Sequence, residues 1–202
     1  MSPGGVKGRP KLLNMRFQHL PNAITISRLF LVPLLILALR AQDYFTGLLL
    51  FLVAGISDAL DGFIAKRFDS VSRLGAILDP VADKALLISA YVMLAVVGDV
   101  PFWLSLTVVF RDLLIIGGYL VVISMMGPVE MQPSYLSKFN TLMQIVLIVA
   151  ILAQNAAGLD FPVMTLVLIY TVLITTVASG AHYLWLWLVK REINPVNKKE
   201  LS

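Results

Sequence analysis

Two pairs of aspartates, Asp58 with Asp61 and Asp79 with Asp83, stand in the segment SDALDGFIAKRFDSVSRLGAILDPVADK, on either side of a short polar turn. The surrounding sequence is strongly apolar, and 58% of the 202 residues are hydrophobic. A charged side chain at the centre of a bilayer costs roughly 2.5–3.5 kcal/mol, and less toward the interface, unless something compensates it. Members of the first pair are three residues apart and members of the second four, so each pair shares one face of a helix. Two antiparallel helices joined by the turn aim both faces at one point. Four carboxylates in such a place suit a hard, oxygen-preferring cation, Mg2+ or Mn2+. The chain has no cysteine, and no histidine lies near the segment, so nothing there indicates zinc. The competing explanation is structural, with caps or salt bridges to Lys66, Arg67 or Lys84. It accounts for one pair more readily than for four carboxylates interleaved with Gly62, Ala65 and Gly75, small residues that let a bulky ligand approach the backbone or helices pack closely.

The elements that must position these residues are membrane helices. Mean hydropathy is +0.86 and only 14% of residues are charged, which excludes an ordinary soluble domain of this length. Apolar runs predict six transmembrane helices over 23–41, 44–67, 76–97, 101–126, 137–156 and 162–189, each near the ~20 residues needed to span the hydrocarbon core. Residues 12–22 (LLNMRFQHLPN) read as a short interfacial helix, with Pro21-Asn22 as its break and cap. The chain therefore divides into a basic N-terminal segment with that helix (1–22), a six-helix domain (23–190) and a basic tail (191–202). The first twenty residues carry Lys7, Arg9, Lys11 and Arg16 but no apolar run of the kind a cleavable signal peptide requires.

Charge asymmetry sets the expected topology. Lys66, Arg67, Arg73, Lys84, Lys138, Lys190, Arg191, Lys198 and Lys199 fall on the same side as the N-terminal basic residues. The opposite connections hold Asp43, Asp99 and Asp160, with Arg40 as their one base. Both termini and the aspartate-rich turn are thus expected on the cytoplasmic side. A net charge of +4 and a pI near 9.4 point to anionic lipid headgroups rather than nucleic acid, because the basic residues flank apolar segments.

The pattern Asp58-x2-Asp61-Gly62-x2-Ala65-Lys66-x8-Gly75-x3-Asp79-x3-Asp83 resembles the signature of the CDP-alcohol phosphatidyltransferases. It departs at one position, Lys66, where the family usually has Arg; Lys keeps the charge but loses the bidentate fork that grips a phosphate, and Arg67 is placed to share that work. The resemblance extends over nearly the whole chain, including the six-span plan. It implies an enzyme of phospholipid biosynthesis, transferring a phosphatidyl group from CDP-diacylglycerol to an alcohol with release of CMP. It further implies that Asp58, Asp61, Asp79 and Asp83 hold two divalent cations, that Asp83 is the general base, and that Gly62, Ala65, Lys66 and Gly75 line the CDP site. A homodimer in a cell (inner) membrane, or less readily the mitochondrial inner membrane, is the corresponding expectation, with the active site facing the cytoplasm.

A second tier of polar residues lies inside apolar spans. Asn22-x2-Thr25-x2-Arg28 opens the first span, and Arg28 requires an anionic partner there, a phosphate or a site carboxylate, unless it snorkels to the interface. Arg111-Asp112 interrupt the fourth span; adjacent residues point in different helix directions and need not pair, which leaves Arg111 for an acceptor phosphate or for the aspartate cluster. A structural intramembrane ion pair is the alternative. Lys138, Thr141 and Gln144 follow an i, i+3, i+6 line at the start of the fifth span, as an acceptor contact or as a polar stripe joining helices.

The motif does not specify the acceptor. DGFIAK, Arg111-Asp112 and SKFNTLMQ look more like the CDP-alcohol type of cardiolipin synthase, whose acceptor is phosphatidylglycerol. The six-span plan and LDPVADK are shared with phosphatidylglycerophosphate synthases, whose acceptor is glycerol 3-phosphate. A cation or proton transporter is the remote alternative. It would place carboxylates at mid-bilayer, often on broken helices, rather than at a cytoplasmic rim.

Overall fold

The computed structural model describes residues 20–68, 73–126 and 134–189, with side chains over 30–57, 84–118 and 134–185. Among the described residues there are six helices and no strands: α1 (Leu20–Arg40), α2 (Tyr44–Phe68), α3 (Arg73–Val97), α4 (Phe102–Met126), α5 (Tyr135–Ala156) and α6 (Pro162–Val189). Their bounds follow the apolar runs of the sequence within three residues. The largest differences are at the starts of α1 and α3, and α1 starts at Leu20 and runs through Pro21 and Asn22 without a break. Proline in a first helical turn gives up an N–H that has no partner there anyway, so Pro21 is accommodated at the start of α1. Residues 12–19 of the expected interfacial helix, and the tail 191–202, lie outside the described residues.

The connections on one side are tight and closed by backbone. Gly98 (φ 94°) and Gly158 (φ 65°) occupy the left-handed region directly after α3 and near the end of α5, a conformation with little penalty for glycine. Asp99 N–H donates to Leu94 O at 2.9 Å and Leu159 N–H to Gln154 O at 2.8 Å, satisfying carbonyls that the helix ends leave open. At the start of α2, Asp43 accepts from the Thr46 N–H at 3.1 Å, an N-cap bond. Ser134 does the same for α5, accepting from Ser137 N–H at 3.2 Å.

The helices pack as a closed circuit, α1–α2–α5–α6–α4–α3–α1, with a lesser contact from α3 across to α5. Leu35, Leu39, Phe51, Ala54, Tyr91, Leu94, Leu104, Leu147, Ile148 and Ile151 fill its interior. Gly47 gives Leu39 its room: a Cβ there would meet Leu39 Cδ2 at 2.9 Å, so a side chain would require Leu39 to shift. Outside the circuit stand Phe30, Leu37, Val53, Val96, Phe110, Val163, Val167 and Ile174, all well exposed. An apolar exterior around a packed apolar interior is the pattern of a protein solvated by lipid. By length and composition, two helices among the described residues, Tyr135–Ala156 and Pro162–Trp185, are long and apolar enough to cross a membrane; Phe30–Arg40, Tyr44–Ser57 and Lys84–Val97 are shorter apolar stretches.

Candidate functional site

Helices α2 and α3 carry the four aspartates. Asp58 and Asp61 fall in the C-terminal half of α2, three residues apart, and Asp79 and Asp83 in the N-terminal half of α3, four apart. The two pairs thus fall on consecutive helices, each pair within about one turn of its own helix. The side chains of Asp58, Asp61, Gly62, Ala65, Lys66, Arg67, Gly75, Asp79 and Asp83 lie outside the described part, as do those of Asn22, Thr25 and Arg28 on α1.

The residue after Asp83 is described, and it opens a buried polar cluster. Lys84 Nζ donates to Asp112 Oδ2 at 2.9 Å, and Arg111 Nη1 donates to Asp112 Oδ1 at 2.6 Å. Asp112 is fully buried and its carboxylate is shared between the two cations. Arg111, only 4% exposed, also donates through Nη2 to Ser137 Oγ on α5 (2.5 Å) and Ser179 Oγ on α6 (2.6 Å). One arginine therefore ties α4, α5 and α6 together, while Asp112 ties them to α3. The stem of Arg111 lies against Gly180, whose missing side chain leaves it a place.

Here the structure corrects the sequence reading. Arg111 and Asp112 do pair, although neighbours on a helix point apart: the long arginine side chain folds back to the nearest opposite charge, because burial leaves both with few other partners. The pair that seemed a rival to function is present, and it does not exhaust Arg111, whose Nε has no partner.

The polar line on α5 also differs from expectation. Residues six apart on a helix are separated by about 240°, so Lys138 and Gln144 do not share a face. Lys138 is exposed, its ammonium 5.6 Å from the Tyr135 ring centroid, and Thr141 Oγ1 donates to the Ser137 carbonyl one turn back at 3.1 Å. The inward row is Ser137, Asn140 and Gln144, at i, i+3 and i+7. Asn140 is fully buried and its Oδ1 accepts from Thr175 Oγ1 (2.8 Å) and Thr176 Oγ1 (2.9 Å) on α6, leaving Nδ2 without a partner. Gln144 is fully buried with both amide atoms unpartnered, while its main-chain carbonyl accepts from Tyr91 Oη at 3.2 Å. Buried polar atoms without partners cost about 1–3 kcal/mol each, so three adjoining side chains with such atoms single this region out. Sequence reasoning passed over Lys84, Asp112, Ser137 and Ser179 as site residues. The signal available for Ser137, Asn140 and Gln144 was their i, i+3, i+7 spacing in an otherwise apolar helix.

At the other end of the bundle, a cavity of about 320 Å3 is lined by Asp99, Gln154, Asn155, Asp160 and Thr165 together with apolar residues of α5 and α6. Asp99 and Asp160 thus meet at one end, as alternating short connections require. Thr165 Oγ1 donates to Gln154 Oε1 at 3.1 Å there.

A family model described as CDP-alcohol phosphatidyltransferase matches residues 18–180, all six helices save the last turns of α6. The chain belongs to that family. It is 36% identical over 180 residues to a cardiolipin synthase (CMP-forming) / mitochondrial hydrolase fusion protein of Schizosaccharomyces pombe, covering 81% of this chain and 30% of that protein. It is 30% identical over 180 residues to a cardiolipin synthase (CMP-forming) of Homo sapiens, covering 81% of this chain and 60% of the human protein. It is 29% identical over 183 residues to a CDP-diacylglycerol–glycerol-3-phosphate 3-phosphatidyltransferase of Bacillus subtilis, with 82% and 93% covered. The chain thus spans less than two thirds of the length of the cardiolipin synthases it matches.

Proposed function

We propose that this protein transfers a phosphatidyl group from CDP-diacylglycerol to an alcohol, releasing CMP, and that the alcohol is phosphatidylglycerol. The observation that carries the reading is the aspartate pattern at Asp58, Asp61, Asp79 and Asp83 on two consecutive helices, inside the residues that the family model matches. The acceptor hydroxyl oxygen attacks the phosphorus that bears the diacylglycerol, the bond from that phosphorus to the CMP oxygen breaks, and CMP leaves with the bonding pair. Asp83 takes the proton of the attacking hydroxyl. Gly62 and Ala65 leave room for the nucleotide against the backbone, and Lys66, with Arg67 beside it and Gly75 opposite, binds the pyrophosphate. Asn22, Thr25 and Arg28 approach the same phosphates from the start of α1.

The donor set, four carboxylates without nitrogen or sulfur, fits two Mg2+ or Mn2+ ions held by Asp58, Asp61, Asp79 and Asp83. Bound there, such ions neutralise pyrophosphate charge as CMP departs. Arg111, with Asn140 and Gln144 on the inward face of α5, receives the acceptor's phosphate. All six helices span the membrane, with both termini and the aspartate turn in the cytoplasm, the chain forms a homodimer, and residues 23–190 constitute the catalytic domain. The charge asymmetry of the connections supports that orientation.

The Bacillus subtilis relative, covered over 93% of its length, favours a second reading in which glycerol 3-phosphate is the acceptor. Purified protein in detergent with Mg2+ or Mn2+, labelled CDP-diacylglycerol and each acceptor in turn decides between them. CMP release that depends on phosphatidylglycerol and disappears in Asp83→Asn is the expected result. Release with glycerol 3-phosphate alone selects the second reading, and no release with any acceptor sinks the transferase.

A further inference from the structure

We propose that Lys84 is a positioning residue for the transfer: its bond to Asp112 sets the rotation and height of α3, the helix that carries Asp79 and Asp83, against the frame that holds Arg111. The inference rests on the phosphatidyl-transfer reading and adds the device that keeps the base in register with the acceptor's seat.

Among the described residues, two side-chain hydrogen bonds tie α3 to the rest of the bundle. Lys84 Nζ donates to Asp112 Oδ2 on α4 at 2.9 Å, and Tyr91 Oη donates to the Gln144 carbonyl on α5 at 3.2 Å. Lys84 and Tyr91 are seven residues apart, about two turns, and so lie on one face of α3. The same helix buries Leu86, Leu87, Ala90 and Leu94. Apolar burial is non-directional, whereas two directed bonds two turns apart oppose both rotation and sliding of the helix. Tyr91 fixes the middle of α3. Lys84 follows Asp83 directly in the chain, so its bond fixes the turn on which the base stands.

The far end of the Lys84 bond is anchored. Asp112 is fully buried, and its other oxygen accepts from Arg111 Nη1 at 2.6 Å. Arg111 Nη2 in turn donates to Ser137 on α5 and Ser179 on α6. Asp112 therefore joins two things that the transfer needs at a fixed separation, the turn bearing Asp83 and the arginine that receives the acceptor's phosphate. A misplacement of about 1 Å between reacting groups costs on the order of a hundredfold in rate. The Lys84 side chain is 22% exposed and that of Asp112 0%, so the bond is held from its buried side and open to reagents from the other.

The chain has no cysteine, so Lys84→Cys gives the full chain a single thiol. In lipid nanodiscs, CMP release gives kcat and the KM of CDP-diacylglycerol and of whichever acceptor, phosphatidylglycerol or glycerol 3-phosphate, the parent uses. Lys84→Cys is expected to lower kcat by about tenfold to a hundredfold while both KM values stay near those of the parent. Alkylation by 2-bromoethylamine, verified by mass spectrometry, restores an ammonium at the reach of lysine and is expected to return most of kcat. Alkylation by 1-bromopropane restores the length without the charge and is expected to return none. Should Lys84→Cys not fold, Lys84→Gln and Lys84→Arg are compared in the same assay, the first expected to lose kcat and the second to keep it. Parent-like kcat in Lys84→Cys or Lys84→Gln, rescue by both reagents or by neither, or a raised KM at unchanged kcat overturns the positioning role while the transferase reading stands. No CMP release from the parent with either acceptor overturns both.

Discussion

At one end of the bundle Lys84, Arg111 and Asp112 sit inside helices, bury their charges and bond across α3, α4, α5 and α6. At the other end Asp43, Asp99 and Asp160 sit in the connections, where Asp43 and Asp160 are exposed and the Asp43 carboxylate accepts from Thr46, three residues on. Both ends are rich in polar residues, yet they differ in what burial demands of them. Asp43 serves a helix start, work that a backbone N–H completes locally, whereas Asp99 meets Tyr44 and keeps one buried oxygen without a partner. The helix-borne charges are held in an apolar interior at a cost that each bond offsets only in part, and some of their atoms remain without partners. Polar groups kept in such a place against that cost mark where a ligand is expected, and they adjoin Asp83 in the chain.

That contrast can be broken experimentally. The largest effect is expected at Asp83: Asp83→Asn lowers CMP release by about 10²–10⁴-fold with thermal stability little changed, the signature of a lost general base. Next comes Arg111→Ala, which strands Asp112 with Lys84 alone and frees Ser137 and Ser179. Unfolding in detergent, followed by intrinsic fluorescence, is expected to show a loss of about 3–5 kcal/mol, as when one partner of a buried pair is removed.

Gln144→Leu tests the orphaned amide. Replacing two unpartnered polar atoms by an apolar side chain of similar size is expected to stabilise the fold by about 1–3 kcal/mol, since the Tyr91 bond goes to the main chain and survives. A rise in acceptor KM in the same variant would show that the amide is kept for a ligand.

The smallest effect belongs to the opposite end. Hydrogen bonds from the Thr46 side chain and N–H hold the Asp43 carboxyl below the ordinary aspartate value. A lowered folded-state value means that Asp43 stabilises the fold above its unfolded pKa of about 3.9 and loses that contribution as pH falls through the folded value. Asp43→Ala is therefore expected to melt slightly below the parent at neutral pH, to match it in strong acid, and to leave CMP release unchanged throughout.

Much of this was legible along the chain. Apolar runs gave six helices to within three residues because hydrophobic length is a local property that lipid enforces directly. Pro21 and Asn22, expected to break and cap an interfacial helix, lie within the first turn of α1, while residues 12–19 of that expectation lie outside the described residues. Asp58, Asp61, Asp79 and Asp83 were legible because their pattern is confined to 26 consecutive residues. Lys138, Thr141 and Gln144 were grouped by spacing alone, and the helix sets Lys138 on a different side from Gln144.

The sequence by itself determined the family, the helices and the four aspartates, all of them encoded in spacings of three, four and about twenty residues. Only the tertiary structure decided that Lys84 and Arg111 share the carboxylate of Asp112, that Ser137 and Ser179 complete the arginine, and that Asn140 rather than Lys138 faces inward. Apart from the Arg111–Asp112 pair itself, those contacts join residues 26 to 68 positions apart. No local propensity encodes them. They arise because burying a charge in an apolar bundle costs more than bending long side chains toward whatever opposite charge or hydroxyl the neighbouring helices present.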